Sequence, residues 1–303
     1  MKKFISFLIC AALLTHLSAC SRPEENVPTA PTVAPSTQAP TEPPAVQSPM
    51  KETVLVDNDA AAFTVTEAKT SSHAGMQLYV RCVNKTDRAL MFSWDMVSVC
   101  GYMYDPLWAV EVAAGKSANS IIDLDTYELE KLGITSVDEV TFTLRIYDSE
   151  DWMEPPVVQQ VYTIYPTGLS ADTLILPAHP SKDTQVIIAD DENLRFVIEQ
   201  AQEETSTYTL QVYMENKTER NLMYSWDLVS VNGSMIDPLW AAPVAAGKRA
   251  CSEISFSRSD LEQNAITDIS DISDISFQLI VSDYDDWSAP NLLKQVYTYR
   301  PTP

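Results

Sequence analysis

Apolar and polar residues alternate with a period of two over long stretches of this chain. Leu78, Val80 and Cys82 alternate with Tyr79 and Arg81, and Leu210, Val212 and Met214 repeat the pattern. Val140, Phe142, Leu144 and Ile146 form another stripe, matched by Ile275, Phe277, Leu279 and Val281. Successive side chains of a strand point to opposite faces, so these runs predict strands buried on one face. Asn232-Gly233 lies between two such runs and predicts a hairpin turn, with the glycine kept as Gly101. Asp105-Pro106 and Ala114-Gly115 mark further turns. Helical signals are short. Asp125-x-x-Glu128 and Ser257-x-x-Asp260 resemble capping boxes, the second with Asp in place of Glu or Gln. Leu129 and Leu132 then share one helical face.

The pattern occurs twice. Asn84–Lys116 aligns with Asn216–Lys248 without a gap, with 24 of 33 positions identical. The landmarks are Asn84-Lys85-Thr86, Ser93-Trp94-Asp95, Asp105-Pro106-Leu107-Trp108 and Ala113-Ala114-Gly115-Lys116. Further along, Phe142 matches Phe277, Asp151-Trp152 matches Asp286-Trp287, and Val161-Tyr162 matches Val296-Tyr297. The later offset is three residues larger, and residues 268–276 read Asp-Ile-Ser three times, so one triplet duplication accounts for it. All six tryptophans fall into aligned pairs. The expected fold is all-β: a first copy at 51–166, a linker at 167–182 and a second copy at 183–303. Each copy is expected to carry about seven strands and one short helical turn.

The N-terminus differs in kind. Lys2 and Lys3 precede an apolar run from Phe4 to Leu14, the length of a signal-peptide core and too short to span a bilayer. Leu17-Ser18-Ala19-Cys20 follows. It resembles the bacterial lipobox, in which the cysteine is linked to diacylglycerol and becomes the first mature residue. That resemblance implies a signal peptide at 1–19, lipid attachment at Cys20, and a place on the extracytoplasmic face of the cell membrane. An ordinary signal peptide with a chance cysteine is the alternative. Residues 21–50 hold eight of the 19 prolines and no glycine. Such a segment buries no core and favours extended conformations, so residues 20–50 are expected to be a disordered Pro/Thr-rich stalk. No later segment is a transmembrane candidate.

Both copies also resemble the immunoglobulin-like domains of unknown function found in lipoproteins and secreted proteins of Gram-positive bacteria. The likeness rests on an acidic strand start, an apolar strand ending in Val83-Asn84-Lys85-Thr86-Asp87-Arg88, a hairpin, and Ala-Ala-Gly-Lys before the next strand. It implies tandem Ig-like β-sandwiches and brings no catalytic residues.

Charge narrows the partners. There are 42 acidic against 20 basic residues, a net charge of −22. A phosphate backbone calls for a basic face, so no nucleic-acid partner is expected. Neither His73 nor His179 recurs between copies, which excludes a duplicated His-dependent site and suggests two solvated loop residues. Cys82, Cys100 and Cys251 do not recur either, so no disulfide framework or zinc spacing is encoded; a Cys82–Cys100 bridge has nothing specific behind it. No catalytic residue and no cofactor are expected.

The best candidate for ligand contact is an acidic loop with one tryptophan in each copy: Asp148, Asp151 and Trp152 in the first, Asp283, Asp286 and Trp287 in the second. Asp148, Glu150 and Asp151, and likewise Asp283, Asp285 and Asp286, form a weak calcium candidate without EF-hand register. Exposed tryptophan suits protein contact or stacking on sugars. The sequence therefore points to a non-enzymatic binding protein with an unknown protein or glycan ligand. A carbohydrate or cell-wall module is the first alternative, and an extracytoplasmic hydrolase with a carboxylate pair the second.

Overall fold

The structure is a computed structural model that describes residues 50–71, 75–104 and 106–301. The signal peptide, Cys20, almost all of the stalk, His73 and Asp105 lie outside the described residues. Residues 43–303 form one compact unit. No helix among the described residues is long and apolar enough to cross a membrane.

The fold is all-β. The first copy contains β1 (Thr53–Asp57), β2 (Ala61–Ser71), β3 (Gly75–Asn84), β4 (Leu90–Val99), β5 (Tyr102–Met103), β6 (Ala109–Val112), β7 (Ser117–Leu124), α1 (Thr126–Lys131), β8 (Val140–Asp148) and β9 (Val158–Ile164). The second repeats the order as β10 (Val186–Asp190), β11 (Leu194–Glu203), β12 (Thr207–Asn216), β13 (Leu222–Val231), β14 (Ser234–Met235), β15 (Ala241–Val244), β16 (Arg249–Ser257), α2 (Arg258–Gln263), β17 (Ile275–Asp283) and β18 (Leu293–Tyr299). Each copy thus has nine strands rather than seven, the surplus coming from strands of two to five residues that leave little trace in a periodicity.

In the first copy, β1-β2-β3-β7 form one antiparallel sheet, while β4 pairs with β5, β6 and β8, and β8 pairs with β9. The second copy has the same pairings, as β10-β11-β12-β16 and as β13 with β14, β15 and β17, then β18. The alternating stripes face inward as the periodicity predicts. Phe63, Leu78, Val80 and Ile122 from one sheet meet Phe92, Trp94, Phe142 and Leu144 from the other in a single core. Phe196, Leu210, Val212 and Ile254 meet Tyr224, Trp226, Phe277 and Leu279 in the second core. Burying each such side chain contributes about 1.5–3 kcal/mol, which is why the stripes govern the fold.

The turns carry the special backbone conformations. The β4–β5 hairpin turns through Cys100 (φ 47°) and Gly101 (φ 81°), and the β13–β14 hairpin through Asn232 (φ 51°) and Gly233 (φ 81°). Positive φ at both central residues is the hairpin geometry that Asn-Gly favours. The shared Asp95 and Asp227 have a local role: each carboxylate accepts the next residue's N–H at 2.8 Å, at a bulge where Met96 (φ 50°) and Leu228 (φ 51°) are left-handed.

Both short helices form, but their caps differ. Asp125 accepts N–H bonds from Tyr127 and Glu128 at 2.7 and 3.4 Å. Ser257 makes no side-chain cap; its hydroxyl pairs instead with Ser259 at 2.7 Å, so the second expected capping box is not formed. A reciprocal box appears in the Asp-Ile-Ser repeat, where Asp268 and Asp271 close a 3₁₀ turn at Ile269–Asp271. Asn232 then ties that loop to the hairpin, donating to the Asp271 carbonyl and accepting from Ser273 and Asp274 N–H groups.

The two copies are joined side by side. Arg249 of β16 pairs in parallel with Tyr102 of β5, so the first sheet of the second copy continues into the second sheet of the first as one nine-stranded sheet. The Arg249 N–H donates to the Gly101 carbonyl at 2.9 Å, and its guanidinium lies 4.3 Å from the Tyr102 ring centroid. Lys248 reaches Glu139 of the first copy at 2.7 Å, with side-chain exposures of 17% and 10%. Val197 and Tyr213 of the second copy are buried in the first core. Residues 167–182 are laid along the body: Thr167 donates to Asp138, and a Cβ on Gly101 would meet Leu176 at 3.1 Å.

Candidate functional site

β8 ends at Asp148 and β17 at Asp283, and each aspartate folds the loop that follows. The Asp148 carboxylate accepts N–H bonds from Glu150 and Asp151 at 2.8 and 3.2 Å. Its second oxygen lies 2.9 Å from the Arg88 guanidinium, which also reaches Glu154 at 2.7 Å. Asp283 repeats the arrangement, accepting from Asp285 and Asp286 at 3.0 and 3.1 Å and pairing with Arg220 at 3.2 Å. Asp151 accepts the Met153 N–H at 3.2 Å, and Asp286 accepts the Ser288 N–H at 2.9 Å. The duplicated acids are therefore turn-formers, and the arginines at the end of the Asn-Lys-Thr motif are their counter-ions.

This clamp turns the tryptophans outward. Trp152 is 70% exposed and Trp287 75%, while Met153 beside the first is also exposed. No aromatic ring pair among the described residues includes either ring. The other four tryptophans line the cores. Trp94 meets Trp108 edge-on at 6.0 Å, and Trp226 meets Trp240 at 6.1 Å. The leucines of the Asp-Pro-Leu-Trp turns stay in water, Leu107 and Leu239 both being exposed.

The acids of the weak calcium candidates do not gather into a ligand group. Asp148 and Asp283 each accept two N–H bonds and pair with an arginine. Among the described residues the His, Cys and carboxylate atoms that do converge are those of His179, Glu199 and Cys251.

The N–H bond from Glu150 is the chief cause holding the Asp148 carboxyl below its usual range, with the Asp151 N–H and Arg88 adding to it and desolvation opposing. A depressed carboxylate favours the folded loop above its ordinary pKa, and that preference is lost as pH falls through the folded value. A carbon-13 carboxyl titration should show a lower midpoint for Asp148 in the protein than in a peptide of residues 146–154. Equal midpoints would mean the loop is not clamped in solution.

One sequence expectation is corrected here. His179 is not a solvated loop residue. Its ring stacks on Tyr213 (3.9 Å between centroids, 11° between planes), and its nitrogens meet Tyr102 Oη at 2.9 Å and Glu199 at 2.5 Å. The sequence gives little warning, because the aromatic and acidic partners lie 77, 34 and 20 residues away. Cys82 and Cys100 form no bridge: both are free and buried, and burial pushes the Cys82 thiol up to about 12. Cys82 packs in the core, and Cys100 donates to the Ser136 carbonyl at 3.3 Å.

No family model matches the chain, and no curated protein matches it. Among solved structures, a β-D-mannosidase from Dictyoglomus thermophilum overlaps 75% of the chain and 22% of its own length, at 13% identity and a TM-score of 0.23. An exo-chitosanase from Amycolatopsis orientalis overlaps 77% and 26%, at 11% identity and the same score of 0.23. The chain thus spans about a quarter of those proteins, and likeness at that level carries no inference about fold or activity.

Proposed function

We propose that this chain is a lipid-anchored protein of the extracytoplasmic surface, with two tandem Ig-like β-sandwiches on a disordered stalk, and that it binds a protein ligand without catalysing a reaction. The anchor reading rests on Leu17-Ser18-Ala19-Cys20 behind a basic, apolar leader. Two antiparallel sheets around one core in each copy support the Ig-like reading.

The observation that carries the binding role is the pair of exposed tryptophans on loops clamped alike in both copies. A large ring held in water forgoes about 2 kcal/mol of burial that a partner can recover. The clamp also pre-orders the loop, which lowers the ordering cost on binding. Met153 widens the apolar patch beside Trp152, as suits a protein contact. A glycan platform is better served by rings flanked by coplanar aromatics, and no such ring pair accompanies these tryptophans. A hydrolase built on a carboxylate pair needs both carboxylates facing one cleft. The hollow beside α2, lined by Thr207, Tyr208, Arg258, Leu261 and Ile266, contributes a single one, Asp268.

Photo-crosslinkers placed at positions 153 and 288 on whole cells should give a protein adduct that disappears in the Trp152→Ala plus Trp287→Ala chain. Binding on a glycan array or to isolated cell wall, lost in the same double variant, would overturn the protein reading in favour of a carbohydrate module. Cys20→Ala should release the chain into the medium. Continued membrane retention would refute lipidation.

A further inference from the structure

We propose that His179, Glu199 and Cys251 form a site for a thiophilic divalent cation, with zinc as the natural probe. One ligand atom from each residue lies within 4.8 Å of the other two. An imidazole nitrogen, a carboxylate oxygen and a thiolate are the donor set that zinc takes, at about 2.0–2.3 Å each. Tetrahedral ligands at those lengths sit about 3.5 Å apart. The cluster needs only to open the His179–Glu199 contact of 2.5 Å by about 1 Å and draw in the sulfur.

The surroundings are built for ligands held in place. Glu199 is the extra residue of a β-bulge between Ile198 and Gln200 in β11, a device that re-aims a side chain. Its side chain is 5% exposed, and Lys182 holds its other oxygen at 3.2 Å. Burial disfavours its charge, but His179 and Lys182 outweigh that and hold the carboxyl below its usual range. His179 is fixed in plane by Tyr213 and presents its Nδ1 to the Tyr102 hydroxyl. A partner on the second nitrogen is what a metal-bound imidazole normally has. Cys251 sits opposite Tyr213 in the β12–β16 ladder and is an exposed residue, but desolvation pushes its thiol up to about 12, so the ion has to displace a firmly held proton, and a water would fill the fourth position.

None of the three donors recurs in the first copy. Thr66 occupies the equivalent bulge between Val65 and Glu67, Asn119 stands where the second copy has Cys251, and the position matching His179 falls in the stalk. The site therefore belongs to the second copy and the linker, at the junction. Proton balance is simple: the ion replaces the shared His–Glu proton and the thiol proton. The imidazole proton moves to Nδ1, donating to Tyr102, and the thiol proton leaves to solvent. The bound ion would tie residues 167–182 to β11 and β16, and through Tyr102 to the first copy.

The test uses the full chain with Cys10 and Cys20 changed to serine, freed of metal by chelation. Zinc chloride titration should show one equivalent bound and a raised melting temperature. Cobalt(II) should give a thiolate charge-transfer band in the near ultraviolet. Cys251→Ser should abolish that band with the far-ultraviolet circular dichroism unchanged, and His179→Gln and Glu199→Gln should each weaken zinc binding at least tenfold. Tyr102→Phe should weaken it less while leaving the band in place. Failure to bind one equivalent, or a cobalt band that survives Cys251→Ser, would reduce the cluster to a hydrogen-bonded triad and overturn the proposal.

Discussion

Replacing Lys248 by methionine is expected to lower the unfolding free energy by about 3 kcal/mol, while the same change at Lys116 shifts it by less than about 0.5 kcal/mol. The two lysines occupy the same place in the duplicated Ala-Ala-Gly-Lys turn, yet their surroundings differ. Lys116 is exposed to solvent. Lys248 inserts against Glu139 and Thr141 of the first copy at 2.7 and 3.4 Å. Removing the ammonium leaves the Glu139 carboxylate, itself almost buried, with Thr141 as its remaining side-chain donor. An uncompensated buried charge costs 3–5 kcal/mol, and the residual exposure of this pair places it at about the lower end. Glu139→Leu in the Lys248→Met background should recover part of the loss, because it removes the orphan charge rather than the attraction. Urea midpoints for the four chains decide the matter, and equal effects at Lys116 and Lys248 would show that the junction is not formed in solution.

Asn216→Ala is expected to cost about 3 kcal/mol, from a residue that touches no ligand. Its amide is buried and spends every valence. The nitrogen donates to the carbonyls of Arg220, Val244 and Ala245 at 2.7, 2.9 and 3.0 Å. The oxygen accepts from the Thr218 N–H and hydroxyl at 2.9 and 2.7 Å. One side chain thereby pins the β12–β13 connection to the end of β15, across the two sheets. Truncation removes the amide donor from all three carbonyls, of which Ala245 keeps the Lys248 N–H and Arg220 the Thr218 hydroxyl, and strips the Thr218 N–H of this acceptor, at about 1–3 kcal/mol for each group left unpaired where water cannot reach. Asn84 has the same bonds to Arg88, Val112 and Thr86, so Asn84→Ala should behave alike. Asn216→Asp should be at least as damaging, since a carboxylate would face two or three carbonyl oxygens. A loss below about 1 kcal/mol by chemical denaturation would mean that water replaces the amide.

The strand faces were legible because Leu78, Val80, Phe142 and Leu144 obey a two-residue period that burial enforces directly. The exposure of Trp152 and Trp287 was legible too, because acids on both sides of a ring are poor company for a core. Other features leave no recurring pattern. Asn84 and Asn216 stand out because they recur, whereas His179 and Cys251 have no counterpart in the first copy and Glu199 belongs to no motif. Yet residues that do not recur carry much of the interface between the two unlike neighbours, beside the shared Lys248. Tyr102 faces Arg249 where the second copy has Ser234, and Tyr213 takes the place of Arg81. The cap expected at Ser257 is not formed: its hydroxyl pairs with Ser259 and accepts no N–H of the first helical turn.

The parallel pairing of Arg249 with Tyr102 has a consequence for the halves taken singly. Two repeats without this seam could be parted at no cost to either. Now a chain cut after residue 166 would bare Tyr102 and strand Glu139, while the second half alone would expose Val197 and Tyr213 to water. The repeats are therefore mutually dependent: each half carries lesions that only the other repairs, so neither is a free-standing module.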